Sequence, residues 1–203
     1  MPNYVTAEEV KTFAKLSYED LGYSDEEQYD AFLNDLIVAA ESLVENYCNV
    51  PSGYFKAGGV TFTDQVYNYR YPIFLRYAPV INVSAVKINT AGYGQTPSWV
   101  TLETTEYVVN TEAGCVYLVK RVPAATLQSV KISYTAGYTT TPEVVKFVVK
   151  SLCSNMLHEI LQRKISPMVR VDDWTVRLLV PDCFTRELKA MLEPYMRRFV
   201  GAG

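Results

Sequence analysis

The sequence predicts an α+β protein: an antiparallel bundle of about four helices, an inserted all-β antiparallel subdomain, and a short hairpin before the last helix. Three observations lead there. Apolar residues recur every three or four positions near both ends of the chain, the mark of helices that bury one face. Between Val60 and Tyr138 the pattern changes to short runs of Val, Ile, Thr and Tyr punctuated by Gly, Pro and Asn, which is strand composition. Alternation of apolar and charged residues returns between Met168 and Val180. Residues 1–50 and 139–203 are therefore expected to build a helical body, and residues 60–138 a β subdomain.

Thr6-Ala7-Glu8-Glu9 has the form of a capping box, in which the Thr hydroxyl and the Glu carboxylate satisfy free N–H groups at a helix start. A short helix to about Leu16 should follow. Ser24-Asp25-Glu26-Glu27 repeats the signature and leads into Tyr29, Leu33, Ile37, Ala40, Val44 and Tyr47, a long amphipathic helix stopped near Cys48 or Asn49 by Pro51 and Gly53. In the β region, Tyr107–Val109 and Cys115–Val119 flank an Asn110–Gly114 turn and predict a hairpin. Val130, Ile132 and Tyr134, alternating with Lys131 and Ser133, predict a half-buried strand. Gly92-Tyr93-Gly94 reads as a turn.

Thr141-Pro142-Glu143 predicts an N-cap, a first helical position and an acid placed at the positive end of the helix dipole. The helix continues to about Arg163 along Val144, Val145, Val148, Val149, Leu152, Met156, Leu157, Ile160 and Leu161. Two short strands around Asp172-Asp173 come next. A last helix opens at Pro181 and Asp182, and Pro194 should kink it, leaving Tyr195–Val200 as a reoriented turn or tail.

The chain has 203 residues, of which 49% are hydrophobic and 20% charged, the mix of a folded globular protein. Its formal charge of −3 conceals a strong polarity, because residues 1–50 hold 11 acids against 2 bases, net −9, and the remainder is net +6. Opposite charges at the two ends of a subunit suit head-to-tail contacts, in which complementary patches orient neighbours. A sequence pI near 5.3 opposes a role in gripping nucleic acid. No apolar run approaches the roughly 18 residues of a membrane span, and the start of the chain lacks the basic-then-apolar pattern of a signal peptide.

Chemistry is hard to place. His158 is the one histidine, and residue 162 is Gln, so a His-Glu-x-x-His zinc motif is missing. Cys48, Cys115, Cys153 and Cys183 are separated by 67, 38 and 30 positions and read as buried hydrophobes. The pairs Glu103/Glu106 and Asp172/Asp173 are the only candidates for shared acid and base work, and the second reads better as a turn. No catalytic, cofactor or metal residues are expected. Sixteen tyrosines suit protein contact or sugar stacking, and a carbohydrate-binding surface would use Trp99, Tyr67 and Tyr69.

Several phrases in order resemble the head-to-tail connector, or adaptor, proteins of tailed bacteriophages, in their longer form with a β insert. These are Thr6-Ala7-Glu8-Glu9-Val10-Lys11, Ala39-Ala40-Glu41-Ser42-Leu43-Val44-Glu45-Asn46-Tyr47, Tyr134-Thr135-Ala136-Gly137-Tyr138 before Pro142, and Leu192-Glu193-Pro194-Tyr195-Met196-Arg197-Arg198. The resemblance implies a non-enzymatic virion protein without cofactors, present in the host cytoplasm during assembly and then in the virion neck. It implies a ring, usually dodecameric, between the portal protein and the head-closure or tail-terminator proteins, with DNA passing through. Pro194, Tyr195, Arg197, Arg198 and Phe199 are the candidate docking residues for portal or a neighbouring subunit. Glu26, Glu27, Asp30, Glu41 and Glu45 are the candidate acidic face toward the lumen or the subunit joint.

Overall fold

The computed structural model describes residues 2–66, 72–120, 123, 128–165 and 183–197. Helices and antiparallel sheets both occur, so the fold is α+β. The chain divides into two compact units: residues 1–52 with 141–196, and residues 53–140 with 197–203.

In the helical unit, α1 (Ala7–Ala14) starts at Thr6, whose hydroxyl accepts the Glu9 N–H while the Glu9 carboxylate accepts the Thr6 N–H. Its last residue is Ala14, two short of the expected stop, and Lys15 follows in the left-handed region. α2 (Glu26–Cys48) is capped by Asp25 rather than Ser24, since the Asp25 carboxylate accepts the Gln28 N–H at 2.8 Å, and it ends at left-handed Asn49. α3 (Glu143–Ile165) begins one residue after Pro142, whose carbonyl accepts the Lys146 N–H. Along α3 the buried residues are Val145, Val148, Val149, Leu152, Cys153 and Leu157, whereas Val144 is exposed. The stripe is thus rotated toward Cys153 relative to the expected one. Leu33, Ile37, Ala40 and Val44 of α2 are fully buried, and α3 packs against α1 and α2.

The last helix, α4 (Arg186–Leu192), begins later than the sequence predicts, with Thr185 as its cap. The two preceding residues are engaged elsewhere. The Cys183 carbonyl accepts from Asn155 and its thiol donates to Glu159, while the Phe184 ring meets Tyr47 edge-to-face with centroids 5.3 Å apart. Pro194 ends the regular helix as expected, in a 3-10 turn over Glu193–Tyr195. The hairpin expected around Asp172-Asp173 lies outside the described residues.

The β unit holds two antiparallel sheets. One has four strands in the order β1 (Val60–Val66), β7 (Val130–Ala136), β3 (Val80–Asn89) and β4 (Trp99–Thr101); the other has three in the order β2 (Ile73–Phe74), β6 (Cys115–Leu118) and β5 (Tyr107–Asn110). The β5–β6 hairpin and the alternation along β7 follow the sequence reading: Val130, Ile132, Tyr134 and Ala136 are buried, and the residues between them are not. The opposite face carries a hydroxyl ladder, Thr61 with Thr135 and Thr63 with Ser133.

Gly137 holds the entry to this sheet. Its φ is +121°, a conformation that suits glycine. A Cβ there would lie 2.5 Å from the Tyr54 carbonyl oxygen and 3.1 Å from the Gly59 Cα, and one on Gly59 would lie 2.4 Å from the Ala136 carbonyl oxygen. Backbone meets backbone directly at this point. Gly137→Ala should therefore cost more than about 2 kcal/mol in urea unfolding, since strain and steric overlap add. Gly94→Ala, also at positive φ but with nothing near a Cβ, should cost only about 1 kcal/mol. Equal losses would sink the close-approach argument.

Candidate interaction surfaces

Six of the eleven acidic residues in the first fifty fall into three sets. Glu41 and Glu45, one helical turn apart on α2, are 2% and 4% exposed. They are not part of any solvent-facing acidic surface, contrary to the sequence reading. The Glu41 carboxylate accepts the N–H groups of Asn3 at 2.9 Å and of Tyr4 at 2.6 Å, and Glu45 accepts the Tyr4 hydroxyl. Both carboxylates face inward because the start of the chain brings donors that water would otherwise supply. Periodicity alone could have flagged this, since positions 41 and 45 fall on the same α2 face as Ile37, Ala40, Val44 and Cys48.

Glu26 and Asp30 form the second set. Lys11 of α1 reaches Glu26 at 2.7 Å and Asp30 at 2.5 Å, with Glu8 at 3.8 Å. Hydrogen bonds to Asp30 and Glu26 hold the Lys11 ammonium well above its ordinary pKa, so it stays charged. The third set is exposed: Glu19 in the segment before α2 and Glu27 in the first turn of α2.

The C-terminal candidates are separated. Pro194 is exposed and Tyr195 half-buried at the end of the helical unit. Arg197 belongs to the β unit, where its guanidinium lies 4.8 Å from the centroid of Tyr77. Arg198 and Phe199 lie outside the described residues. Arg76 also stands over Tyr77, at 5.6 Å, and the Phe62 ring packs on it at 4.4 Å. Around them, Tyr54 donates to the Ala78 carbonyl at 2.6 Å, and buried Tyr134 donates to Asp64 at 2.7 Å and accepts the Tyr77 N–H. Burial and the Asp64 carboxylate push the Tyr134 hydroxyl far up, and burial does the same to Tyr54. Three of the sixteen tyrosines, Tyr54, Tyr77 and Tyr134, thus serve an internal aromatic cluster.

The weaker candidates have structural roles. The Glu106 carboxylate accepts the Glu103 N–H at 3.0 Å and closes a 3-10 turn, so this pair does not present two facing acids. His158 is exposed and bonds to Ser154 of its own helix. Cys48, Cys115 and Cys153 are buried, and desolvation pushes the Cys48 and Cys153 thiols up to about 12. Cys183 is half-buried. Trp99 is half-buried on edge strand β4, and Tyr67 and Tyr69 lie outside the described residues.

The helical unit is tied together by inward-facing acids, and the β unit carries an aromatic-arginine cluster; both arrangements are structural. The head completion protein family model matches residues 3–156, and the chain belongs to that family. It is a structural virion protein. Its fold is similar to that of a chain in the neck of an empty gene transfer agent particle computed with C6 symmetry (TM-score 0.54, 16% identity), covering 98% of this chain and 92% of that one. It is likewise similar to a chain in the virion of a native gene transfer agent particle (TM-score 0.57, 17% identity), with the same coverage. No curated protein matches.

Two substitutions check the buried acids and the tyrosine cluster. Burial raises the Glu41 pKa above the ordinary 4.5, so the folded chain holds a proton there at a pH where the unfolded chain has lost it. Wild type should therefore gain stability relative to Glu41→Gln as pH falls through the raised value toward 4.5, and lose it as pH rises. Melting curves with a pH-independent difference would contradict this. Tyr134→Phe strips two hydrogen bonds in the β unit and should lower stability by about 1–3 kcal/mol in urea titration.

Proposed function

We propose that the protein forms a ring in the neck of a tailed particle and joins the portal protein to the head-closure or tail-terminator proteins, with DNA passing through the lumen. The observation that carries the reading is the family match over residues 3–156. The likeness in fold to a chain from a particle neck computed with C6 symmetry supports it, since rings of six or twelve subunits obey that symmetry. Twelve is the number we favour. The helical unit supplies the ring body, with the β unit inserted between α2 and α3 as a peripheral surface.

The charge distribution fits a conduit. Exposed Glu27, together with Glu26 and Asp30, whose charge Lys11 offsets only in part, makes a surface that does not grip phosphate. These residues face either the lumen or the joint between subunits. The segment Pro194, Tyr195, Arg197, Arg198 and Phe199 docks on portal or on the neighbouring subunit. The direct test is negative-stain imaging of portal rings mixed with the chain. Full-length protein should add a layer of density to the portal, and a chain lacking residues 194–203 should fail to add it while keeping a cooperative melt. Undiminished binding by the shortened chain would remove the docking assignment, and bare portals with full-length protein would remove the neck reading.

A further inference from the structure

The long helix α2 carries apolar residues on both of its sides. Leu33, Ile37, Ala40 and Val44 turn inward, and the opposite face presents Asp35, Val38, Ala39, Ser42, Leu43 and Asn46, all exposed. These positions follow the spacing i, i+3, i+4, i+7, i+8, i+11, one continuous stripe along the helix. Asp35 is the one charge in it, and Val38 and Leu43 are 39% and 40% accessible. A solvated helix face is normally charged or polar, and a helix that is apolar on both sides has partners on both. Ala39 and Ser42 leave a shallow furrow between Val38 and Leu43, which suits the approach of a bulky ridge.

A second uncovered patch lies where α1 meets α3. Phe13 of α1 and Phe147 of α3 meet edge-to-face with centroids 5.9 Å apart, and with Val144 they remain 37% to 42% accessible. Beside them opens a cavity of about 370 Å³ lined by Glu8, Glu9, Thr12, Phe13 and Lys150. Its two acids are engaged, since Glu9 closes the cap at Thr6 and Glu8 lies 3.8 Å from Lys11. The Lys150 ammonium stands 5.9 Å from the Phe13 centroid, and Glu143, which feels its charge, is bonded to Lys146 at 2.8 Å. Among the described residues, neither Lys150 nor Asp35 has an ion-pair partner.

We propose that the Phe13–Phe147 patch receives the outer face of α2 from a second copy of this chain, with α2 and α3 antiparallel, so that Asp35 meets Lys150, Val38 and Ala39 meet the two Phe rings, and Leu43 meets Val144. The inference rests on the ring reading above and specifies the joint within it. The two patches cannot cover one another within one chain, because α2 turns its other face toward α1 and α3. Each patch carries one unpaired charge, of opposite sign, to one side of its apolar residues: Asp35 precedes Val38 on α2, and Lys150 follows Phe147 on α3. The apolar residues align while those charges meet only if the helices run in opposite directions. Such a contact uses two different surfaces, the head-to-tail arrangement that closes into a ring.

The test is sedimentation velocity of full-length chains over a concentration series. Leu43→Glu, at an exposed position, should need at least about tenfold more protein to associate than wild type. Asp35→Lys and Lys150→Glu each set like charges against one another in every joint and should weaken association about fivefold. A chain carrying both substitutions has its pairs reversed and should associate as wild type does. Circular dichroism melts establish that the four variants are folded. A Leu43→Glu chain that associates as wild type does, or a double variant no better than the single ones, would overturn the contact. A wild-type chain that stays monomeric throughout would also overturn it, leaving the neck reading to the portal imaging above.

Discussion

Burying two carboxylates one turn apart is the constraint on which the helical unit depends. The Glu41 and Glu45 carboxylates take the N–H groups of Asn3 and Tyr4 and the Tyr4 hydroxyl as donors. A carboxylate in that position costs several kcal/mol unless donors reach it. The first five residues are therefore held against α2, with Tyr4 and Val5 themselves buried. From that anchor the chain turns at Thr6 into α1, and Lys11 then closes the loop by reaching Glu26 and Asp30 at the start of the same long helix. The start of the chain and α1 are thus tied by polar contacts to two separate stretches of α2, and α1 also packs against α3.

The β unit solves a different problem with aromatic rings. Tyr54, Phe62, Tyr77, Tyr134 and Tyr138 pack with centroids 4.4 to 6.3 Å apart. Each buried hydroxyl needs a partner, and Tyr54 and Tyr134 find theirs in Ala78 and Asp64. That requirement brings Asp64 of β1 and the loop before β3 to the same place. Arginine heads then cover the ring that remains partly accessible.

Elements with a local cause were legible in the sequence. The capping residues at Thr6, the stop at Asn49, the β5–β6 hairpin, the alternation of β7 and the break at Pro194 each follow from one or a few neighbouring residues, and each occurs where expected. What could not be read was tertiary in origin. Asp25 displaces Ser24 as a cap because both are competent and only the path into the helix chooses between them. α4 starts at Arg186 because Cys183 and Phe184 are held by Asn155, Glu159 and Tyr47, residues far away in sequence. The same limit governed the sites. Glu41 and Glu45 counted as surface acids until their donors, nearly forty positions upstream, were in view, and nothing local announces that Arg197 would join Arg76 over Tyr77. The chain's class was read from short phrases in order, one of which contains the glycine at position 137.

That glycine meets Gly59 with no side chain between them. Where two strands of main chain touch, the join is made from atoms that every amino acid shares, and only the two bare positions are dictated. Around such a seam a lineage can exchange nearly all of its side chains and keep the same path. The fold this chain shares at 16–17% identity over almost its whole length asks for no more in common than such a path.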